Sequence, residues 1–316
     1  MESIAGERFS VFRSDDRGVS WTEASAGLAS GARIQALCGD DRRRFAGTDA
    51  GLFRSLDGGR SWLPVELPIQ GPVRILSLAL QEGLLWIGTD GRGVIGMSLD
   101  GEAAPPKVAL PLAKVRSLLV RGQELFVGVD PGGVLLTQDG GGSWRRLDRG
   151  WPPGGQPFAL ALSGDRIHAG LYSQGLFRWT SDESGWERVD HVTPLALASV
   201  GNSIVVGHNP GGLRTRLERE SKWITGRLGK PESNLSLSPI FAPGETDTEA
   251  HFEVAPVWEM GSDATTVLAG ADAGIYRSAD RGLTWFPVTN GLPAKAPGIA
   301  FWIQGTQALA AIRRME

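Results

Sequence analysis

A repeat of about 41 residues runs through most of the chain and limits the folds that it can adopt. One glycine recurs at the same point of six copies, at Gly47, Gly88, Gly128, Gly170, Gly207 and Gly270. The steps between these glycines are 41, 40, 42, 37 and 63 residues, so the last step contains an insertion. Self-similarity at such a period indicates a repeat architecture in which each copy is one supersecondary unit.

Each copy contains four short runs rich in Leu, Val, Ile, Phe and Trp, separated by turns of Gly and Asp. Four strands in a unit of about 40 to 50 residues are typical of a β-propeller blade. The runs lack the i, i+3, i+4, i+7 spacing of a helical solenoid. The sequence therefore predicts an all-β fold, and 44 glycines in 316 residues fit the many tight turns that it needs.

The two ends of the chain complete the count of blades. Residues 8–24 match the second half of a repeat, and residues 298–313 match the first half. Together they predict one composite blade (blade 1), which with six full copies (blades 2 to 7) makes a seven-bladed propeller. Such a blade covers sheet edges that an open ring would expose. We expect residues 1–316 to form one propeller domain, with an insertion at about 226–256 between blades 6 and 7.

A second motif marks the turn between the third and fourth strands. Its pattern is Ser/Thr-x-Asp-x-Gly-x-x-Trp, and it is intact at Ser14–Trp21, Ser55–Trp62, Thr137–Trp144 and Ser278–Trp285. The aspartate is expected to accept backbone N–H bonds in its own turn, the glycine to supply positive φ, and the tryptophan to pack between sheets. The motif is therefore interpreted as structural rather than catalytic.

This motif is the Asp box, and over nearly its whole length the chain resembles the Asp-box (BNR-repeat) propellers. That superfamily includes sialidases, xyloglucanases, sortilin-type receptors and photosystem II assembly factors. The resemblance implies the fold, and it implies that the boxes lie on the face opposite the ligand site. It does not carry a function, because one fold hosts many.

Three arginines begin consecutive inner strands. Arg33, Arg74 and Arg116 are 41 and 42 residues apart, which predicts a cluster at one side of the central channel. Guanidinium groups so placed would bind a carboxylate, sulfate or phosphate through paired N–H donors.

The alternative is that each arginine is held within its own blade. Asp49, Asp90 and Asp130 follow the three arginines by 16, 16 and 14 residues, in the next loop of the same face. Such pairs would tie strand to loop and leave little charge for a ligand. Arg92, in the loop of Asp90, adds a positive charge outside this pattern. Both interpretations remain open at this stage.

Blades 5 and 6 depart from the repeat in the equivalent loops. These loops contain Tyr172 and Gln174 in blade 5, and His208 and Asn209 in blade 6. Departures from consensus are either contact positions or drift, and we add the four residues to the candidate binding set.

A catalytic site is harder to find. A sialidase-like enzyme would need an arginine triad, a tyrosine nucleophile with a glutamate partner and an acid/base aspartate, and no Arg-Ile-Pro segment or placeable Tyr–Glu pair is present. A glycosidase needs two carboxylates across a cleft. The available carboxyl groups on loops or strand starts of this face belong to Asp90, Asp130, Asp272, Glu253 and Glu259. No catalytic residue is assigned.

Other classes of function are disfavoured by composition. The four histidines are scattered, so no metal site is predicted, and no dinucleotide or phosphate motif predicts a cofactor. A net charge of −3 gives no general attraction to nucleic acid, and no apolar run approaches the roughly 20 residues that membrane insertion needs. The single cysteine, Cys38, is expected to be buried and inert. The start MESIAGERFS has no signal-peptide pattern, which predicts a cytoplasmic protein, or a secreted one if a signal was removed.

The sequence thus favours a non-catalytic binding or assembly propeller. Its partner is expected to be a protein, or an anionic small molecule or glycan, bound on the face that carries the arginines. The alternative is a carbohydrate-active enzyme (a glycoside hydrolase or sialidase-like) or another small-molecule enzyme, with the insertion as a lid.

Overall fold

The computed structural model describes residues 8–99, 107–110, 113–209, 211–217, 222–228 and 256–314. In these residues there are 29 strands, arranged as seven antiparallel sheets with one further parallel strand. The fold is therefore a seven-bladed β-propeller, as the sequence predicts. The described residues contain no helix, and hence none that is long and apolar enough to cross a membrane.

The strands are numbered along the chain. Blade 1 contains β1 (Arg8–Ser14), β2 (Thr22–Glu23), β28 (Gly298–Gln304) and β29 (Gln307–Arg314). Blade 2 contains β3 (Ile34–Gly39), β4 (Arg44–Thr48), β5 (Gly51–Ser55) and β6 (Leu63–Val65). Blade 3 contains β7 (Ile75–Gln81), β8 (Leu84–Thr89), β9 (Val94–Ser98) and β10 (Lys107–Leu110). Blade 4 contains β11 (Lys114–Arg121), β12 (Glu124–Asp130), β13 (Gly133–Thr137) and β14 (Arg145–Arg146).

The remaining blades follow the same plan. Blade 5 contains β15 (Pro157–Ser163), β16 (Arg166–Leu171), β17 (Gly175–Trp179) and β18 (Trp186–Asp190). Blade 6 contains β19 (Thr193–Val200), β20 (Ser203–Asn209), β21 (Leu213–Arg216) and β22 (Ile224–Thr225). Blade 7 contains β24 (Val257–Ser262), β25 (Val267–Ala271), β26 (Gly274–Ser278) and β27 (Thr284–Val288), and β23 (Arg227–Leu228) pairs with its outermost strand.

The composite blade closes the ring. All seven residues of β1 pair with β29, from Arg8 opposite Arg314 to Ser14 opposite Ala308. The innermost strand, β28, contacts the innermost strands of both blade 2 and blade 7. The two ends of the chain are thereby locked into one sheet, which confirms the predicted arrangement.

The recurring glycine is explained by how closely neighbouring blades approach. A Cβ on Gly47 would overlap the side chain of Ile75 in the next blade, and one on Gly207 would overlap Val257. At Gly88 and Gly270 a Cβ would likewise overlap the next blade, and at Gly128 and Gly170 it would come closer than ordinary contact to a proline of the next blade. Glycine is therefore required at these positions because the neighbouring sheet leaves no space for a side chain, and not because of the backbone conformation.

The core consists of seven apolar clusters, and each lies between two adjacent blades. Cys38 is buried in the cluster between blades 2 and 3. Burial, and then the charge of Asp40, raise the pKa of its thiol far above the usual range, so it stays uncharged as expected.

The Asp boxes lie at one end of the blades, which we call the bottom face. Asp57 accepts hydrogen bonds from the hydroxyls of Ser55 (2.7 Å) and Ser61 (2.6 Å) and from the backbone N–H of Arg60 (2.9 Å). Slight burial acts to raise the pKa of Asp57, but the hydrogen bonds outweigh it and hold that pKa well below its usual range. The tryptophan of this box, Trp62, is buried and donates to the carbonyl of Ala24 in blade 1. The box therefore stabilises its turn and links neighbouring blades.

The insertion predicted at about 226–256 is only partly described. Its first residues form β23, which runs parallel to β27 and pairs Arg227 with Thr284. The start of the predicted insertion therefore adds a fifth strand to blade 7. Residues 229–255, which include Glu253, lie outside the described residues.

Ring closure gives a direct test of the composite blade. Deleting residues 1–16 removes β1 and with it the buried side chains of Val11 and Phe12. We expect the truncated protein to aggregate or to unfold at a markedly lower temperature, because β29 loses its partner strand. A soluble 1–16 deletion with the parent's melting temperature would contradict the composite-blade assignment.

Candidate functional site

A water-accessible channel runs along the axis of the propeller and is lined by the innermost strands of all seven blades. Its volume is about 230 Å³. The innermost strands begin at one end of the channel. This end opens on the face opposite the Asp boxes, and we call that face the top face. This face also carries the loops between the second and third strands of each blade.

The pairing registers arrange the channel residues in levels. Each innermost strand has a register shift near its start, such as that between Ile34 and Ala36. The shift follows the first paired residue in five blades and the second in blades 4 and 6. In each strand one unpaired residue lies between the two paired residues that flank the shift. We call these seven residues the rim: Gln35, Leu76, Arg116, Phe158, Leu195, Trp258 and Ile299. The next residue of each strand belongs to the second level: Ala36, Ser77, Ser117, Ala159, Ala196, Glu259 and Ala300.

Below these lies a third level of large apolar side chains. It consists of Leu37, Leu78, Leu118, Leu160, Leu197, Met260 and Phe301, one from each blade. Each belongs to the cluster between its own blade and the preceding one, and each also lines the channel. The second level therefore lies directly above an apolar layer.

Glu259 is the exception in the second level, where the other six residues are alanine or serine. No hydrogen bond or ion pair joins it to any part of the chain that the structure describes. Glu259 is partly buried and water reaches it from the channel. Desolvation by the protein packed around it raises the pKa of its carboxyl from 4.5 to about 8. The Glu259 carboxyl is therefore mainly protonated at pH 7. Next to Glu259, Gly270 of blade 7 contacts Gly298 of blade 1. At the other interfaces the residue opposite the recurring glycine is larger.

For one of the three arginines, the position in the structure differs from the sequence-based expectation. Arg33 and Arg74 are equivalent, because each immediately precedes the last paired residue before the register shift of its innermost strand. The equivalent residue of blade 4 is Lys114, whereas Arg116 lies two residues further along, in the rim. The predicted equivalence of Arg116 with the other two arginines was therefore wrong.

Arg33 and Arg74 are held in different ways. The backbone N–H of Arg33 donates to Asp49 at 2.8 Å, and its guanidinium lies over the ring of Phe9. The guanidinium of Arg74 is 3.5 Å from Asp90. Asp90 is also 3.6 Å from Lys114, so this carboxylate joins blades 3 and 4. Arg92 is exposed, and no ion pair to it is found in the described part of the chain.

Arg116 has two partners. Its Nε donates to Asp130 at 2.8 Å, and its guanidinium carbon lies 4.6 Å from the ring centre of Phe158 in blade 5. Phe158 in turn stacks on Tyr172, with ring centres 5.4 Å apart and planes at 27°. Arg116 and Tyr172, which sequence placed in separate groups, thus belong to one cluster at the channel mouth. Tyr172 remains 48% exposed, which leaves ring surface for a partner.

Three other candidate residues lie in blades 5 and 6. Gln174 and His208 are less exposed than Tyr172, whereas Asn209 is exposed. The side-chain amide of Gln174 donates to the carbonyl of Pro153 at 3.1 Å. His208 is half-buried, and burial followed by the charge of Arg214 lowers the pKa of its imidazole. Asn209 is exposed at the end of β20. The structure therefore brings Tyr172 to the channel mouth and gives Gln174 a structural bond.

Trp258 was missed by sequence reasoning. It occupies the rim position of blade 7, is 47% exposed, and donates its indole N–H to Asp272 at 3.0 Å. The separation of 14 residues recurs in Arg116–Asp130 and Phe158–Tyr172, so in three blades the rim residue contacts the same point of the next loop. That repeated spacing is the signal that would have found it.

The described carboxyl groups of this face are few, and most of them already have a partner. Among the described residues that line the channel, Glu259 is the one carboxyl. Asp90, Asp130 and Asp272 are each engaged by a cation or an indole N–H. The described residues contain no group of three His, Cys, Asp or Glu side chains that is placed to hold a metal ion.

No protein-family model matches the sequence, and no curated protein matches it. Solved structures do. YCF48 bound to a D1 peptide shares 15% identity over 90% of this chain and 94% of that chain, with a TM-score of 0.64. The GH74 xyloglucanase from Xanthomonas campestris shares 14% identity over 96% of this chain and 56% of that chain, with a TM-score of 0.63.

A third similar structure is the extracellular domain of BT4673 from B. thetaiotaomicron. It shares 15% identity, and the match has a TM-score of 0.61 and covers 87% of this chain. This chain spans 39% of the length of that protein. At such identities the similarities establish the fold alone, and they agree with the resemblance to the Asp-box propellers.

The carboxyl of Glu259 gives a pH-dependent test. Between pH 4.5 and about 8 the folded protein holds a proton on Glu259 that the unfolded chain releases, so this group lowers stability as pH rises through that window. Glu259→Gln removes the titration and should melt at least ~2 °C above the wild type at pH 8.5, with a smaller difference at pH 5. Glu66→Gln, on an exposed loop, is the control and should track the wild type at both pH values. A constant difference between Glu259→Gln and the wild type would contradict the assignment.

Proposed function

We propose that the protein is a non-catalytic binding propeller that recognises a protein partner on its top face. The observation that carries this proposal is the cluster of Arg116, Phe158 and Tyr172 at the channel mouth, with Trp258 exposed at the equivalent rim position of blade 7. Aromatic and arginine side chains that are held in place yet partly exposed are the types that dominate binding energy at protein interfaces.

The charges around the mouth suggest how a partner is oriented. Blades 2 to 4 present five cationic side chains near three carboxylates: Arg33, Arg74, Arg92, Lys114 and Arg116 near Asp49, Asp90 and Asp130. This sector therefore retains positive charge, which favours acidic groups in the partner segment above it. The sector from blade 5 to blade 7 presents Tyr172, Trp258 and Asp272, and favours apolar or cationic groups instead.

An enzymatic function is less well supported. Glycoside hydrolysis requires a pair of carboxyl groups across the scissile bond, and the described lining of the channel supplies one. The similarity to a xyloglucanase supports the shared fold and carries no residue of its site to this chain.

Site-specific cross-linking tests the proposal whatever the identity of the partner. A photoreactive phenylalanine analogue is placed at Tyr172 and, as the control, at Leu56, which is 60% exposed in the Asp-box turn of blade 2 on the bottom face. After irradiation in an extract of the source cells, we expect discrete protein adducts from position 172 and none of the same mass from position 56. Adding Arg116→Ala should reduce the adduct yield severalfold, because the Phe158 ring loses its cationic partner. Identical adducts at both positions, or none at position 172, would contradict the proposal.

A further inference from the structure

The second level of the channel contains a carboxyl group that the described fold leaves without a partner. Glu259 replaces the alanine or serine of the other six blades and lines a channel of about 230 Å³. The packing of the blades does not require a carboxyl here, because six interfaces of the same design are built with smaller side chains. A partly buried, desolvated carboxyl without a partner in the described fold is costly, so its presence points to a ligand.

A second unpartnered polar group lies in the same channel. Gln35 lines it from the rim of blade 2, and its Nε2 is buried with no hydrogen-bond partner in the described residues. This amide is a donor suited to a carbonyl oxygen, whereas Glu259 offers carboxyl oxygens as acceptors. The two groups can therefore serve different parts of one entering segment.

The surroundings of Glu259 select the kind of cation. Ca²⁺ and Mg²⁺ take six or more oxygen ligands, and the described channel wall offers one carboxyl. A guanidinium needs several acceptors in one plane. A primary ammonium on an aliphatic stem needs fewer acceptors, and apolar rim residues such as Leu76 and Leu195 line the path above Glu259.

We propose that the channel is a binding site for a lysine side chain of the partner, with its ammonium on Glu259 and its stem against the apolar rim. This inference rests on the proposed function in one respect, namely that the partner approaches the top face. The exposed indole of Trp258 beside the mouth fits the same chemistry, because aromatic faces attract ammonium groups.

Ionisation of Glu259 would accompany binding. The strands packed against β24 are β19, β20, β25 and β28, and His208 on β20 is their one titratable residue. Asp272 follows β25 and is bonded to Trp258, and Arg116 lines the channel from blade 4 and is paired with Asp130. None of these groups contributes to the raised pKa of Glu259, which has burial as its cause. A bound ammonium would favour the charged carboxylate, so the carboxyl proton would pass to solvent.

Calorimetry with a small probe tests this site apart from the partner. N-acetyl-lysine methylamide is titrated into the full chain at pH 7 in two buffers of different ionisation enthalpy. N-acetyl-norleucine methylamide, which has the same four-carbon stem without the ammonium, is the control. We expect the lysine derivative to bind with release of about one proton, and the norleucine derivative to bind at least ~10-fold more weakly. Affinity for the lysine derivative should rise about fivefold between pH 7 and pH 8 as Glu259 ionises.

Glu259→Gln should abolish the proton release and weaken binding of the lysine derivative at least ~10-fold, and far-ultraviolet circular dichroism would show that the variant is folded. If the variant does not fold, the pH series on the wild type still decides. Equal affinity for the two probes, binding without proton release, or no heat at millimolar concentrations would overturn the proposal. Those outcomes would leave the cross-linking prediction for Tyr172 untouched, so failure of the two proposals can be told apart.

Discussion

The close contact between neighbouring blades is the constraint on which the rest of the structure depends. Each recurring glycine of the second strands, such as Gly47 against Ile75, removes a side chain so that the next sheet can approach. The apolar clusters form in the resulting interfaces, and the ring closes because β1 and β29 share a sheet. A protein stabilised by its blade interfaces in this way is free to vary the residues at its channel mouth.

That freedom is visible in blade 7. Its interface with blade 1 brings Gly270 against Gly298, and the small residue of the second level is replaced there by Glu259. The same blade exposes Trp258 at the rim. A carboxyl of raised pKa and an exposed indole on successive residues make blade 7 the part of the ring that departs most clearly from a purely structural repeat. Opposite it, Arg116 joins blades 4 and 5 through Phe158.

The fold was predictable because it follows from local spacing. The period of the glycines, the four runs in each copy and the half-repeats at the ends all depend on residues within about 41 positions of each other, and they gave the blade number correctly. The candidate site was predictable only in part. Arg116 was aligned with Arg33 and Arg74, although its separation of 14 residues from Asp130, against 16 in the other blades, already indicated a different register. Glu259 was one carboxyl among five, and its significance depends on burial across blades, which spacing along the chain does not reveal.

A partly buried carboxyl that desolvation keeps mainly protonated inside the channel is central to this interpretation, and its titration can be measured directly. The protein is labelled with ¹³C at the δ-carbon of glutamate, and Glu259→Gln identifies the resonance of Glu259. We expect that resonance to titrate with a midpoint near pH 8, well apart from glutamates exposed to solvent. A midpoint near 4.5, the ordinary value, would contradict a carboxyl that the channel keeps protonated at neutral pH, and with it the proposed lysine site.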